Sequence, residues 1–296
     1  MIVNQAALAG IFRSFKVLFN QALDSATPQY TKISTIVPST TREEVYKWLG
    51  RLPRMREWIG DRVIQNLSAY DYTIKNKDWE DTIEVDRNDI EDDAIGLYSP
   101  LFQMLGASAA THPDEIIFSL LASGFTSTCY DGQYFFDTDH KDGDNPIQSN
   151  KGTLVLTPAS YGAARAQMMS LLDDQGKPLA IVPNLLVVPP QLEGMGRKIL
   201  LAETVDATTN TYKGSADLLV APYLAANPTA WFLLDVSRPI KPLVFQWRKK
   251  PEFIAKDHPN DDNVFMKKKF LYGADCRDNA GFGLWQLGYG STGTTT

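Results

Sequence analysis

The densest group of residues able to do chemistry is Asp137-Thr138-Asp139-His140-Lys141-Asp142-Gly143-Asp144. Alternating carboxylates beside an imidazole could hold a divalent cation and activate water, which would make Asp137, Asp139 and His140 the working set of a metal-dependent hydrolase. The string departs from a calcium loop in three places: Lys141 stands where a third ligand is needed, Asp142 takes the glycine position, and Gln148 replaces the closing glutamate. Runs of Asp and Gly form solvated turns without any metal, and that is the reading adopted. Zinc needs about four closely spaced Cys or His ligands. Here the three histidines (His112, His140, His258) and two cysteines (Cys129, Cys276) are scattered, which predicts no zinc site. Gly106-Ala107-Ser108-Ala109-Ala110 lacks the last glycine of a nucleophile elbow and lies in a helical pattern, while Gly194-Met195-Gly196-Arg197-Lys198 lacks the residues of a phosphate or dinucleotide loop. The expectation is no enzyme, no metal and no cofactor.

With 296 residues, 44% of them hydrophobic, the chain can bury one large core or two moderate ones. A net charge of -6 argues against broad affinity for phosphate backbones. Two cysteines in so long a chain read as buried thiols in a reducing compartment. Arg13 and Lys16 interrupt the apolar residues near the start, so neither a signal peptide nor a membrane span is predicted, and the reading is a soluble protein made in the cytoplasm.

The elements that would position any site follow from periodicity. Asn4 to Asp24 places Leu8, Ile11, Phe12, Phe15, Leu18, Phe19, Ala22 and Leu23 on one helical face, to be covered by its own subunit or a neighbour's. REEVYKWLG after Thr40 and Thr41 reads as a short helix, and Trp48 and Trp58 as core or interface anchors. Tyr70 to Ile90 alternates with period two around Asn76-Lys77-Asp78, which predicts a charged hairpin with little to pack on. The longest helical signal starts at Asp92 and Asp93 as N-cap and runs through Ala110. After a break, a second helix capped by Thr111 and Asp114 is predicted to run to Gly124. Residues 152 to 235 alternate helices with buried strands and suggest an α/β lobe. Long strands return at Leu243 to Arg248 and at Val264 to Tyr272, the latter with Lys267, Lys268 and Lys269 in its middle. The closing GYGSTGTTT reads as unordered. So much chain in projecting elements suits an assembly-building protein better than a monomeric enzyme.

Six strings, WLGRLPRMREWIGDR, YTIKNKDWEDTIEVDRNDIEDDAIGLYSP, HPDEIIFSLLASGF, CYDGQYFFDTDH, LLDVSRPIKPLVFQWRKKPEF and VFMKKKFLYGADCRDNAGFGLWQ, resemble the major head subunit family of phage Mu and Mu-like prophages. The resemblance implies an α+β chain with the Hong Kong 97-type major capsid fold. It would divide into an N-terminal arm and first helices (1–65), an extended loop hairpin (66–92), a peripheral domain with a spine helix and following loop (93–151), an axial domain (152–235) and peripheral return strands with a tail (236–296). It implies a structural protein of the virion that associates with itself into pentamers and hexamers of an icosahedral head around double-stranded DNA. Scaffolding, portal and decoration proteins would be its partners, with no specific grip on the DNA and no membrane. A nanocompartment shell of the same fold is the alternative. Lys75, Lys77, Trp79, Glu84, Arg87, Lys267, Lys268 and Lys269 are the expected intersubunit contacts. Some members of the fold cross-link a Lys to an Asn of a neighbour, for which Lys75, Lys77 and Asn279 are candidates.

Overall fold

A computed structural model of the chain describes residues 4–47, 49, 71–141, 146–173, 176–205 and 207–295. The first part holds α1 (Gln5–Ser25), α2 (Tyr30–Ile33), β1 (Ser34–Pro38), β2 (Glu43–Tyr46), β3 (Tyr72–Lys75), β4 (Lys77–Asp86), α3 (Arg87–Glu91) and α4 (Ser99–Ser123). The middle holds β5 (Lys151–Leu154), α5 (Pro158–Met169), β6 (Leu185–Val188), α6 (Glu193–Leu200), β7 (Thr204–Val205), β8 (Thr208–Thr209), β9 (Asp217–Val220) and β10 (Trp231–Leu234). The chain closes with β11 (Leu243–Lys256), α7 (Asp262–Lys267), β12 (Lys269–Phe282) and β13 (Gly288–Thr295). Trp48, Trp58 and Asp142 to Asp144 lie outside the described residues.

Two sheets organise the molecule. One has the order β1-β11-β12-β4 and the other β5-β13-β10-β6-β9, so the class is α+β as expected. The larger core lies around the second sheet, with Trp231, Phe232, Leu233 and Leu234 of β10 all fully buried. A second core joins α1, α4 and the outer part of the β11–β12 ribbon through Phe15, Phe19, Phe102, Phe253, Phe270 and Tyr272. The apolar face of α1 is thus covered by its own subunit.

Helix α4 runs through both cores. It is one helix of 25 residues, about 38 Å long, and the predicted break does not occur. Pro113 sits inside it, where a proline costs roughly 3 kcal/mol. That cost is met by packing: Phe102 and Leu105 are buried on one side of Pro113, and Ile117, Phe118 and Leu121 on the other. Thr111 does not cap a new helix; its hydroxyl donates back to the Ala107 carbonyl at 3.1 Å. Asp114 caps at a distance, accepting from the backbone N–H of Gln29 at 2.8 Å and of Tyr30 at 2.6 Å, at the start of α2. Burial of Asp114 outweighs those bonds and raises its pKa above the ordinary carboxylate value. Asp92 and Asp93 do not begin α4 either, because Asp93 has φ 61° after the short α3, and the helix starts beyond a 3-10 turn at Ile95–Tyr98.

The predicted 70–90 hairpin is replaced by a different pairing. β3 pairs with β2, and β4 pairs along its whole length with β12 as an edge strand of the first sheet. The chain turns between them at Asn76, which is buried instead of exposed. Its side chain donates to Ser39 Oγ at 2.8 Å and the Thr41 carbonyl at 2.9 Å, and accepts from Gln246 Nε2 at 2.7 Å. Gln246 in turn accepts from the Tyr46 hydroxyl at 2.8 Å. This buried network favours docking of β2 and β3 on β11 over closure of β3 on β4. Within the predicted helix over REEVYKWLG, Glu43–Tyr46 is instead β2 for a related reason: Glu44 Oε1 accepts from the backbone of Thr40 at 2.7 Å and of Thr41 at 3.1 Å, closing a turn before the strand.

The tail expected to be unordered is β13, an inner strand of the second sheet. Glycine is what allows this: a Cβ at Gly290 would lie 2.7 Å from the Phe136 ring, so only a bare backbone fits against that aromatic. The Lys-rich stretch is not a strand throughout. Lys267 ends α7, Lys268 caps it at φ 54° and Lys269 opens β12.

Two outcomes follow from this packing. A Cβ at Gly106 would lie 2.3 Å from the Phe19 carbonyl oxygen and 3.0 Å from Ala22 Cβ, so Gly106→Ala must push α1 off α4. A loss of about 1–3 kcal/mol in urea unfolding is expected, and Gly106→Leu is expected to yield no normal particles. Asn76→Ala leaves the Gln246 side chain, the Ser39 hydroxyl and the Thr41 carbonyl short of partners and is expected to cost about 1–3 kcal/mol by the same measurement. Unchanged midpoints would contradict these contacts.

Candidate functional site and assembly surfaces

The acidic loop does not assemble the hydrolytic set suggested by its sequence. His140 turns inward and is fully buried, its Nδ1 2.6 Å from Asp131 Oδ2 and its ring stacked on Trp285 at 4.0 Å. Asp139 is exposed, and Asp137 Oδ1 accepts from the Thr138 backbone at 2.8 Å. The loop is held from below by the buried Asn150, whose amide donates to the carbonyls of Phe135 at 2.8 Å, Gly288 at 3.0 Å and Trp285 at 3.1 Å. Asp131 also accepts from the Cys129 thiol at 3.0 Å. Burial pushes Asp131 up, but the bonds from His140 and Cys129 outweigh it and hold its pKa below the ordinary value. Burial first, and the Asp131 carboxylate second, push the Cys129 thiol far up, so it is not a nucleophile. The cluster pins the aromatic loop to the turn before β13. Both cysteines are free and buried, as expected.

The expected intersubunit residues divide into two groups. Trp79 is an internal contact, its ring 4.6 Å from that of His112 on α4. Arg87 pairs with Glu91 at 2.8 Å one turn along α3, and Lys269 pairs with Asp86 at 3.2 Å across the β4–β12 ladder. The hydrogen bond to Asp86 raises the Lys269 pKa; that of Asp86 is lowered, chiefly by the Asn88 N–H and then by Lys269. These three therefore have partners in their own subunit. Lys75, Lys77, Glu84, Lys267 and Lys268 are exposed. Asn279 Nδ2 donates to the Lys75 carbonyl at 2.8 Å within the chain, so its side-chain amide already serves the fold.

Among the described residues, the most exposed large apolar side chains include ones the periodicity did not single out. Phe265 (84% exposed) and Met266 (75%) lie on α7, between the long strands of the ribbon and next to Lys267 and Lys268. Reading this segment as strand hid them, since alternation would have assigned one of the two to a buried face. In the 3-10 turn before α4 and in its first turns, Leu97, Leu101 and Met104 are exposed at helical spacing, flanking the buried Phe102 and Leu105. That second stripe was visible in the sequence as an i, i+4, i+7 pattern. Across the first sheet, β4 leaves an open edge whose exposed Glu80, Asp81 and Glu84 discourage indiscriminate strand pairing.

The model of the family described as Mu-like prophage major head subunit gpT matches residues 8–155, 147–224 and 225–296. The chain is 36% identical over 296 residues to the major capsid protein of Escherichia phage Mu, covering 100% of this chain and 77% of that protein. It is also 36% identical over 286 residues to the Mu-like prophage FluMu major head subunit of Haemophilus influenzae, covering 97% of this chain and 73% of the relative. Among solved structures, a chain of the procapsid of bacteriophage JBD30 superposes with a TM-score of 0.63 at 35% identity, covering 98% of this chain and 76% of that one. The fold is that of Hong Kong 97-type capsid proteins. The chain belongs to the Mu-like prophage major head subunit family, the structural capsid proteins of the phage virion.

Proposed function

We propose that this subunit closes into pentamers and hexamers of an icosahedral head through the parts its own fold leaves uncovered, first among them the ribbon end at Phe265 and Met266. The observation that carries this is their exposure, 84% and 75%, at the end of two antiparallel 14-residue strands. Two large apolar side chains held out in water by about 45 Å of strand are costly unless a neighbour covers them. Lys267 and Lys268 beside them supply charge for an acidic partner surface, such as the exposed Glu80, Asp81 and Glu84 of another subunit's β4 edge. Individually such pairs contribute about 0–1 kcal/mol, but each is repeated at every symmetry-related contact.

The base of the extended loop is assigned to the β2–β3 pair in place of the 66–92 hairpin, because β4 is committed to β12. The second sheet forms the axial domain, extended by β13 beyond residues 152–235. Scaffolding, portal and decoration proteins remain the expected partners. Double-stranded DNA is the expected content, held without specific contacts by a chain of net charge -6. Assembly is taken as non-covalent, since Asn279 is engaged with Lys75 of its own chain.

Replacing Phe265 and Met266 together with Ser is expected to leave the unfolding midpoint of the subunit nearly unchanged while shifting sedimentation from particles to free capsomers or subunits. Wild-type particle yield from that variant would remove the ribbon end from the assembly contacts. Boiling particles in detergent is expected to release a single band at 33.0 kDa. A ladder of covalent multimers would restore the Lys–Asn cross-link.

A further inference from the structure

Beneath Trp79, the packing of α4 on β12 brings together residues far apart in the chain. A ring nitrogen of His112, the Cys276 thiol and a carboxylate oxygen of Asp278 all lie within 4.8 Å of one another. Cys276 and Asp278 are two apart on β12 and so point to the same face of the sheet. Asp278 is 0% exposed, and neither of its oxygens has a hydrogen-bond partner among the described residues apart from the weakly donating thiol beside it. His112 Nε2, 3.5 Å from Asp278 Oδ1, is likewise buried without a hydrogen bond, as is Trp79 Nε1. Arg277, the nearest cation in sequence, turns to Asp78 at 3.4 Å.

A carboxylate removed from water and left in this state costs several kcal/mol unless something positive occupies the gap. We propose that His112, Cys276 and Asp278 hold one zinc-like divalent cation that ties α4 to β12. Two ligands each about 2.0–2.2 Å from a tetrahedral ion stand about 3.4 Å apart, close to the 3.5 Å between His112 Nε2 and Asp278 Oδ1 and too long for a good direct hydrogen bond. Imidazole, thiolate and carboxylate together are the ligand set of a borderline-soft ion such as zinc. The fourth position opens on a cleft of about 120 Å³ lined by Trp79, Leu105, His112, Pro251, Ala274 and Cys276, with room for water. On binding, Cys276 gives up its thiol proton to solvent and the metal–sulfur bond takes its place. The Cys129, Asp131 and His140 cluster differs in this respect: His140 Nδ1 and Asp131 Oδ2 meet at 2.6 Å, leaving no room for an ion between them.

The test uses the full chain, stripped with a chelator and titrated with Co²⁺ or Zn²⁺ alone. Expected are equimolar retention of metal after desalting, the thiolate-to-cobalt charge-transfer band with intense tetrahedral d–d bands, and a melting temperature that rises with zinc. Cys276→Ser should abolish the charge-transfer band and Cys129→Ser should leave it intact. Asp278→Asn removes a lone buried charge, so it should stay folded while losing the zinc-dependent rise. Absence of the cobalt–thiolate band, its loss with Cys129→Ser alone, or a zinc-independent melting temperature in the parent chain would overturn the site, the last marking His112 and Asp278 as a simple imidazolium–carboxylate pair.

Discussion

The fold depends on α4 burying both of its halves in different cores. Phe102 and Leu105 belong to the core shared with α1 and the ribbon, and Ile117, Phe118 and Leu121 to the core shared with the second sheet. One rigid rod between two cores sets their separation and direction, and any kink at Pro113 would misplace one of them. Tolerance of a proline there, and the requirement for a bare Cα at Gly106 under Phe19, are consequences of that single constraint. Asp114 extends it, since its carboxylate fixes the start of α2 and through it the entry of β1 beside β11.

Much of this was legible in the sequence wherever a segment's own pattern decides its structure. The apolar face of α1 and the alternation of helices with buried strands over residues 152 to 235 read correctly, because burial on one stripe or on both faces leaves a local signature. The errors share another cause. Asn76 looks like a turn residue and is one, but its partners Ser39 and Gln246 lie far along the chain, so the choice between β3–β4 and β3–β2 pairing was not written locally. Gly290 looks like part of a flexible tail until Phe136 is seen to need its missing side chain. Thr111, Pro113 and Asp114 form a good helix start in isolation, and tertiary packing overrides it. The family strings anticipated the architecture because they span segments whose pairing no window of periodicity reaches.

The same division holds for function. Inside the subunit, polar chemistry is directed to cohesion: His140 to Asp131, Asn150 to three carbonyls, Gln246 to Tyr46 and Asn76. Residues expected to face neighbours, Trp79, Arg87 and Lys269, are likewise used within the chain. What is left over is apolar and peripheral, at the ribbon end and along the outer stripe of α4, together with a charged open edge on β4. A chain that leaves large apolar side chains at its extremities is built to be completed by copies of itself.

The most direct test of that account is electron microscopy of particles formed by the chain with its scaffolding partner, carried to a resolution that traces the ribbon. The account predicts closed icosahedral shells in which Phe265 and Met266 are covered by an adjacent subunit. Shells in which the ribbon end stands free in solvent, or a chain that remains monomeric under every assembly condition, would contradict it.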